Sequence, residues 1–251
     1  MSGHSKWANI KHKKEASDKK KGKIFSRIAK EIMVCVKQSG KDPSSNPRLR
    51  MALIEARAAN MPRENIDRAI KKGSGELGNV NYEEIVYEGY GPQGTAIIVE
   101  CLTDNKNRTI GDVRMTLDRN NGNLAASGAV SWMFQRKAHF VITDEANADE
   151  EKLMDIVLDA GAEDIEVEEG VAEIWAAPES FTDIAKALED AGIATAEAGI
   201  IRRPDNTAEI KDATTAAQVM RLVDRLEELE DVQFVHHNAD IPAEIMETLD
   251  V

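Results

Sequence analysis

The order of apolar patterns between residues 138 and 203 constrains the fold of this chain more than any other feature. Two runs with helical spacing, DEEKLMDIVLDAG and FTDIAKALEDAG, alternate with four β-rich runs, HFVIT, DIEVEE, VAEIWAA and ATAEAGII. The resulting order, βαββαβ, is typical of the ferredoxin-like split βαβ fold. The sequence therefore predicts a ferredoxin-like α+β domain over residues 137–203.

The segments on either side of this domain supply the parts of a second α+β domain. The runs EEIVYEG and TAIIVECLTD are joined by YGPQG, which predicts an antiparallel hairpin. A helix is predicted from about Arg108 to Asn120, and a later helix leads to the strand VQFVHH. Because the C-terminal segment has too few strands to fold alone, we expect it to pack with the hairpin. Residues 81–136 and 204–251 then form one discontinuous domain, into which the ferredoxin-like unit is inserted.

Residues 24–80 are predicted to form a bundle of three short helices. The first helix, over about 24–38, is marked by an apolar stripe at four-residue spacing: Ile24, Ile28, Ile32 and Val36. Asn46 and Pro47 begin the second helix, and Pro62 begins the third. The predicted fold class is therefore α+β and multidomain, with an N-terminal basic arm and a helical bundle before the two α+β domains.

Charge is distributed unevenly along the chain. The net charge is −13, yet residues 1–72 carry +12 and residues 138–251 carry −23. The positive charge begins in a basic arm, residues 1–23, in which eight lysines surround a single tryptophan. A basic head on an acidic body is typical of proteins that bind polyanions.

Nucleic acid is the polyanion that we expect this head to bind. Lysines neutralise phosphates and release counterions, which gives affinity without base reading, and Trp7 adds a surface on which bases can stack. The basic side of the first helix continues the arm, and the alternative is a merely solvated charged face. The predicted contacts in this region are Lys6, Trp7, Lys11, Lys13, Lys14, Lys19, Lys20, Lys21, Lys23, Arg27 and Lys30.

The loop DNKNRT, residues 104–109, is a second candidate for phosphate binding. It leads from a strand into a helix, so backbone N–H groups together with Lys106 and Arg108 can face an anion. The alternative is that Asn107 or Thr109 only caps the helix.

Other chemistries find little support in the sequence. GYGPQG fits the pattern G-x-G-x-x-G, but it stands between two strands, whereas a dinucleotide fingerprint opens a helix, so a hairpin turn is the better interpretation. His236 and His237 are neighbours on a strand and face opposite sides, which does not suit one metal ion. No histidine is spaced from a serine or cysteine as a catalytic group would be. We expect no catalytic residue, no metal and no cofactor.

The sequence also indicates where the protein acts. It has no run of 18 apolar residues and no apolar segment after the basic start that would suit a secretory signal. Cys35 and Cys101 fit neither a metal spacing nor a disulfide framework. We expect a cytoplasmic protein with no membrane partner and no small-molecule substrate.

Six stretches of the chain resemble the YebC/PmpR family, which includes the mitochondrial translational activator of cytochrome c oxidase. They are GHSKWANIKHKK, KGKIFSRIAKEI, NPRLR, NMPRENIDRAIKKG, YEGYGPQGTAIIVECLTDNKNRT and GNLAASGAVSWMF. The resemblance covers nearly the whole chain and is closest up to about Phe134. It implies a non-enzymatic, cytoplasmic protein of three domains. Members are described as DNA-binding transcriptional regulators, and some as ribosome-associated factors that relieve stalling on proline-rich nascent chains.

Three functions stay open at this point. In a DNA-binding transcriptional regulator, the helix that begins with PREN would present Arg63 and Asn65 to a groove. In an RNA-binding translation factor, the basic arm would bind ribosomal RNA while the acidic body stays away from phosphates. In a protein adaptor, the acidic βαββαβ unit would bind a basic partner. Removal of residues 1–23 would leave binding intact only in the adaptor.

Overall fold

The computed structural model describes residues 18–79, 81–168, 170–246 and 248–249, with side chains from residue 21 onward. The chain divides into two compact units, and each unit is built from two stretches of sequence. Among the described residues, the first unit combines residues 18–79 with Arg136–Ile201, and the second combines Asn81–Gln135 with residues 202–249. The four-part domain division drawn from the sequence stays a prediction.

Three helices form the N-terminal part of the first unit: α1 (Asp18–Ser39), α2 (Pro47–Ala58) and α3 (Arg63–Gly73). The start expected for α1, residue 24, was wrong, because the helix already includes the lysines that precede the apolar stripe. Lysine is a good helix former, so the stripe marks where the helix becomes buried and not where it begins. The cap of α2 is confirmed, since the Asn46 side chain accepts a hydrogen bond from the Leu49 N–H at 3.0 Å.

The bundle is held by close packing of α1 against both other helices. Its buried apolar side chains include Ile28, Ile32, Val36, Leu49 and Ala69. At Gly73 the backbones approach so closely that a Cβ atom would lie 2.6 Å from the Met33 carbonyl oxygen. Glycine at this position therefore sets how near α3 can lie to α1.

The second unit begins with a β-hairpin followed by a helix, in the order β1 (Glu83–Tyr90), β2 (Ala96–Thr103), α4 (Lys106–Arg119) and β3 (Asn123–Leu124). The predicted antiparallel hairpin is confirmed by the β1–β2 register. Its tight connection uses left-handed backbone, with φ of +54° at Gln93 and +75° at Gly94. The expected cap of α4 was wrong: the side chain that accepts the Arg108 N–H, at 3.2 Å, belongs to Asn105.

The ferredoxin-like segment follows, in the order β4 (Phe134–Ile142), α5 (Glu150–Val157), β5 (Ala162–Glu168), β6 (Val171–Ala176), α6 (Phe181–Asp190) and β7 (Glu197–Pro204). The strands lie in the order β5-β6-β4-β7. Its core includes Phe140, Leu153, Ile174 and Ile184. Met51 and Ile54 of α2 pack against this core, so within the first unit the helical bundle and the ferredoxin-like segment share one apolar interior.

The C-terminal stretch completes the second unit, with β8 (Ala208–Glu209), α7 (Ala213–Glu227), β9 (Val232–His237), β10 (Ala239–Asp240) and α8 (Ala243–Met246). Strand β9 pairs antiparallel with β2, and the sheet order is β3-β1-β2-β9. Helices α4 and α7 contribute Leu117 and Leu222 to the core on this sheet. The predicted α+β multidomain fold class is confirmed.

Candidate nucleic-acid interface

The predicted basic arm is only partly within the described residues. Lys6, Trp7, Lys11, Lys13 and Lys14 lie outside them. Lys19 and Lys20 lie on the first turns of α1, where the backbone alone is described, Lys21 is exposed and Lys23 is half-buried. A role of these residues in binding stays a prediction.

The expected exposed basic face of α1 is interrupted at two of its predicted contacts. The Arg27 guanidinium lies 2.5 Å from the Glu55 carboxylate on α2, and its side chain is 26% exposed. Lys30 is 8% exposed. Burial raises the pKa of the Glu55 carboxyl, and the charge of Arg27 opposes that rise. Helical spacing alone could not show the pairing of Arg27 with Glu55, because that pairing comes from the packing of α2 against α1.

Both basic side chains of the loop at residues 104–109 contact carboxylates. Lys106 pairs with Glu83. Arg108 donates to Asp231 at 2.6 Å and to Asp104 at 2.9 Å, and these hydrogen bonds to carboxylates raise its pKa above the ordinary value.

Asp231 gives the loop an anchor inside the second unit. Its side chain is 6% exposed, and it also accepts hydrogen bonds from the hydroxyls of Thr103 and Thr109, at 3.1 and 2.9 Å. These hydrogen bonds thus hold the loop at residues 104–109 and the start of α4 to the segment that precedes β9. We interpret the charge of Arg108 as serving this anchor first, because a buried carboxylate needs a cationic or hydrogen-bonding partner.

A second basic surface lies at one end of the helical bundle. The C-terminal ends of α1 and α3 enclose a depression of about 440 Å³ whose lining includes Lys37, Lys41 and Lys72. Arg68 and Lys71 lie on α3 beside Lys72, since residues three and four apart share a helix face. We call this surface the basic end; its members, all exposed, are Lys37, Lys41, Arg68, Lys71 and Lys72.

The electrostatics of the basic end leave most of its charge directed at solvent. Lys41 lies 3.4 Å from Glu76, and both side chains are well exposed. Hydrogen bonds from the Ser74 hydroxyl, which has the larger effect, and from Lys41 lower the pKa of the Glu76 carboxyl. Within the described residues, Arg68 and Lys72 form no salt bridge. Cations near helix C-termini also interact favourably with the helix dipole, so these lysines stabilise α1 and α3 as well.

A signal for this surface does exist in the sequence, in two separate places. KQSGK and KKGSG each carry lysines beside the glycine that follows or ends a helix. The packing of α1 against α3 brings the two stretches together. By contrast, the two residues of PREN that were expected to contact a DNA groove differ in exposure. The Arg63 side chain is 92% exposed and lies 3.9 Å from Asp67, whereas Asn65 is half-buried.

Neither a metal site nor a membrane-spanning helix is present in the part of the chain that the structure describes. That part holds no group of three or more His, Cys, Asp or Glu side chains arranged to bind a metal ion. None of its helices combines the length and the apolar character needed to span a membrane.

Comparison with known proteins assigns the family. Residues 5–76 match the model of the TACO1/YebC protein N-terminal domain, and residues 82–239 match the model of the TACO1/YebC second and third domain. A "probable transcriptional regulatory protein" of Halothermothrix orenii is 48% identical over 250 residues, which cover 99% of each chain.

Another relative with the same description, from Fusobacterium nucleatum, is 51% identical over 251 residues and covers 100% of both chains. The fold is similar to the crystal structure of a conserved hypothetical protein from Aquifex aeolicus, with a TM-score of 0.85 and 45% identity over 96% of this chain and 99% of that one. From these matches and the fold, the chain belongs to the TACO1/YebC family.

Proposed function

We propose that this protein is a cytoplasmic, non-enzymatic regulator of gene expression that binds duplex DNA through its helical bundle, in keeping with the description of its relatives as transcriptional regulatory proteins. The observation that carries the proposal is the basic end, where two helices bring five exposed cations together. The rest of the molecule is acidic, with −23 over residues 138–251.

The basic end suits the DNA backbone better than base edges. Lysine contacts with phosphates release counterions and give affinity for any sequence, whereas sequence reading needs side chains placed in a groove. The row Arg68, Lys71 and Lys72 follows one helix face and can contact successive phosphates. The acidic domains repel the same backbone, so they favour a bound orientation in which only the helical bundle faces DNA.

The proposal is tested by a pair of variants matched in charge. The first carries Lys37→Ala, Lys41→Ala and Lys72→Ala; the control carries Lys152→Ala, Lys186→Ala and Lys211→Ala, which removes three exposed lysines from the acidic part of the chain. Binding to a labelled 20-base-pair duplex is measured by fluorescence anisotropy at several NaCl concentrations. We expect the first variant to bind more weakly and to lose up to about 0.9 of salt slope for each lost phosphate contact.

The control variant is expected to bind as the unmodified protein does, or slightly more weakly. Equal loss of affinity in both variants would mean that total charge, and not the basic end, governs binding, and the proposal would fail. The same titration with structured ribosomal RNA tests the alternative of a ribosome-associated translation factor that relieves stalling on proline-rich nascent chains. If the lysine substitutions at the basic end weaken binding to RNA and leave binding to DNA unchanged, the translation-factor function is favoured.

A further inference from the structure

Trp132 exposes more of its side chain than any other large apolar residue that the structure describes. It is 66% exposed, compared with 43% for Met115 and 41% for Val86 in the same unit. Tryptophan normally buries most of its large surface in a core or an interface. An indole left mostly in solvent is therefore a candidate contact for a partner.

The loop that carries Trp132 is held firmly to the sheet below it. The Glu88 carboxylate, 5% exposed, accepts hydrogen bonds from the N–H groups of Gly128, Val130 and Ser131 at 2.7, 2.7 and 2.8 Å. Val130, which precedes Trp132 by two residues, is completely buried. The exposed indole thus lies on a loop that is fixed to the sheet by hydrogen bonds, and its exposure is not the result of a loosely held loop.

The polar edge of the indole is already used within the loop. The Trp132 Nε1–H donates to the Ala129 carbonyl oxygen at 3.1 Å, and the Tyr90 hydroxyl donates to the same oxygen at 3.3 Å. With its donor satisfied, the ring offers a partner an aromatic surface and no hydrogen bond. A partner that matches this surface is flat and aromatic, since stacking is the interaction that such a surface favours.

The residues next to the ring along the chain are uncharged. Residues 120–135 contain no Asp, Glu, Lys, Arg or His, in a chain of which 31% of residues are Asp, Glu, Lys or Arg. The exposed neighbours in the loop, Ala126, Ser127 and Gly128, are small and leave the ring accessible. The nearest charged residues along the chain on either side, Arg119 and Arg136, are both basic.

We infer that Trp132 is a stacking platform for an unpaired nucleobase. A single aromatic ring with small neighbours gives little contact area for an apolar protein surface, but it suffices for one base, because each base has an aromatic face. The loop itself is uncharged, its nearest charged neighbours along the chain are basic, and the Glu88 carboxylate beneath it is buried and bound by three N–H groups, so little negative charge faces the phosphates on either side of that base. The inference rests on the proposed nucleic-acid binding and adds a second contact to it, in a different compact unit and selective for single strands.

The test compares binding to single strands and to a duplex in Trp132→Leu, Trp132→Phe and a control, Met115→Ala, which alters another exposed apolar side chain of the second unit. The probes are fluorescein-labelled 12-nucleotide RNA and DNA single strands of one sequence, and the matching DNA duplex. Loss of stacking on one base is expected to weaken single-strand binding of Trp132→Leu by about five- to hundredfold. We expect Trp132→Phe to lose less, and duplex binding to change less than twofold in all three.

The salt dependence separates this contact from the basic end. Trp132→Leu should keep the salt slope of the unmodified protein, whereas the triple lysine variant should reduce it on every probe. If Trp132→Leu binds single strands as tightly as the unmodified protein while the lysine variant is weakened, the stacking inference is overturned and the proposed function stands. If only Trp132→Leu is weakened, the stacking site stands and the basic-end proposal fails. Equal loss on single strands and duplex also overturns stacking on an unpaired base.

Discussion

Glu88 shows how one buried charge can organise a surface loop. Burial raises the pKa of its carboxyl, but the N–H groups of Gly128, Val130 and Ser131 outweigh that effect and hold the pKa below the ordinary value. A carboxylate accepts more than one hydrogen bond at each oxygen, so a single side chain satisfies three backbone donors. The conformation that exposes Trp132 therefore depends on an ionised side chain of β1.

The ionised form of Glu88 predicts a pH dependence of stability. Because the folded-state pKa is depressed, the stabilisation is fully present above about pH 4.5 and is lost as the pH falls through the folded-state value. Glu88→Gln removes the charge and is expected to lower the free energy of unfolding at pH 7 by about 1.5–3 kcal/mol, the range for hydrogen bonds to charged groups. Urea denaturation at pH 7 and pH 3.5 measures both effects.

The difference between Glu88→Gln and the unmodified protein should shrink at pH 3.5, because below about pH 4.5 the carboxyl of the unfolded chain takes up its proton and the stabilisation by the charged form decreases. Glu84→Gln, an exposed position on the same strand, serves as the control and should change stability little. A difference that stays constant between the two pH values would contradict the assignment of an ionised Glu88.

At the scale of elements, the crossing of α1 and α3 is set by one glycine. A Cβ atom at Gly73 would lie 2.6 Å from the Met33 carbonyl oxygen and 2.9 Å from the Val36 Cβ. The same crossing brings Lys37 and Lys72 to one depression, so a change in helix packing also changes the basic end.

Substitution of two glycines in the bundle should therefore have opposite effects. Gly73→Ala is expected to destabilise the protein by about 1–3 kcal/mol through overpacking, and to weaken DNA binding with it. Gly22→Ala lies within α1, where nothing approaches within 4 Å, and should stabilise by about 0.5–1 kcal/mol through helix propensity. Thermal unfolding followed by circular dichroism compares the two. Equal effects of the same sign would show that propensity, and not close packing, governs position 73.

At the scale of the whole molecule, charge is separated more strongly than the net value suggests. The chain carries +12 over residues 1–72 and −23 over residues 138–251. A molecule of this kind presents opposite fields to different partners, and each field acts over roughly a Debye length, about 10 Å at 0.1 M salt.

This separation predicts binding to two resins of opposite charge at a single pH. At pH 7.5 and low salt, the protein should bind both heparin and an anion exchanger, although its net charge is −13. The triple variant at Lys37, Lys41 and Lys72 should elute from heparin at lower salt and keep its retention on the anion exchanger. Unchanged elution from heparin would show that the basic end contributes little to polyanion binding.

The parts of the fold that the sequence predicted correctly depend on residues close together in the chain. The hairpin turn at Gln93 and Gly94, the Asn46 cap and the βαββαβ order each follow from local spacing and turn chemistry. The start of α1 and the cap of α4 were missed by a few residues, because several neighbouring polar residues can begin a helix equally well.

The candidate site was less predictable, since it depends on distances in space. Sequence spacing placed Arg27 and Lys30 on an exposed face, but Lys30 is buried and α2 supplies Glu55 as a partner for Arg27. The lysines of the basic end were visible in the sequence, yet only the approach of α3 to α1 groups them. Trp132 belongs to one of the six stretches that resemble the family, but the sequence of that stretch does not show that the side chain is exposed.

The sequence by itself determined the element types, the hairpin, the order of helices and strands along the ferredoxin-like segment and the segregation of charge, because all of these are properties of contiguous residues. Only the tertiary structure decided which charges are available to a partner. Arg108 meets Asp231 across 123 positions of sequence, and Arg27 meets Glu55 across 28. Burial and electrostatic pairing depend on distance through space, and that distance exists only once the helices and sheets have packed.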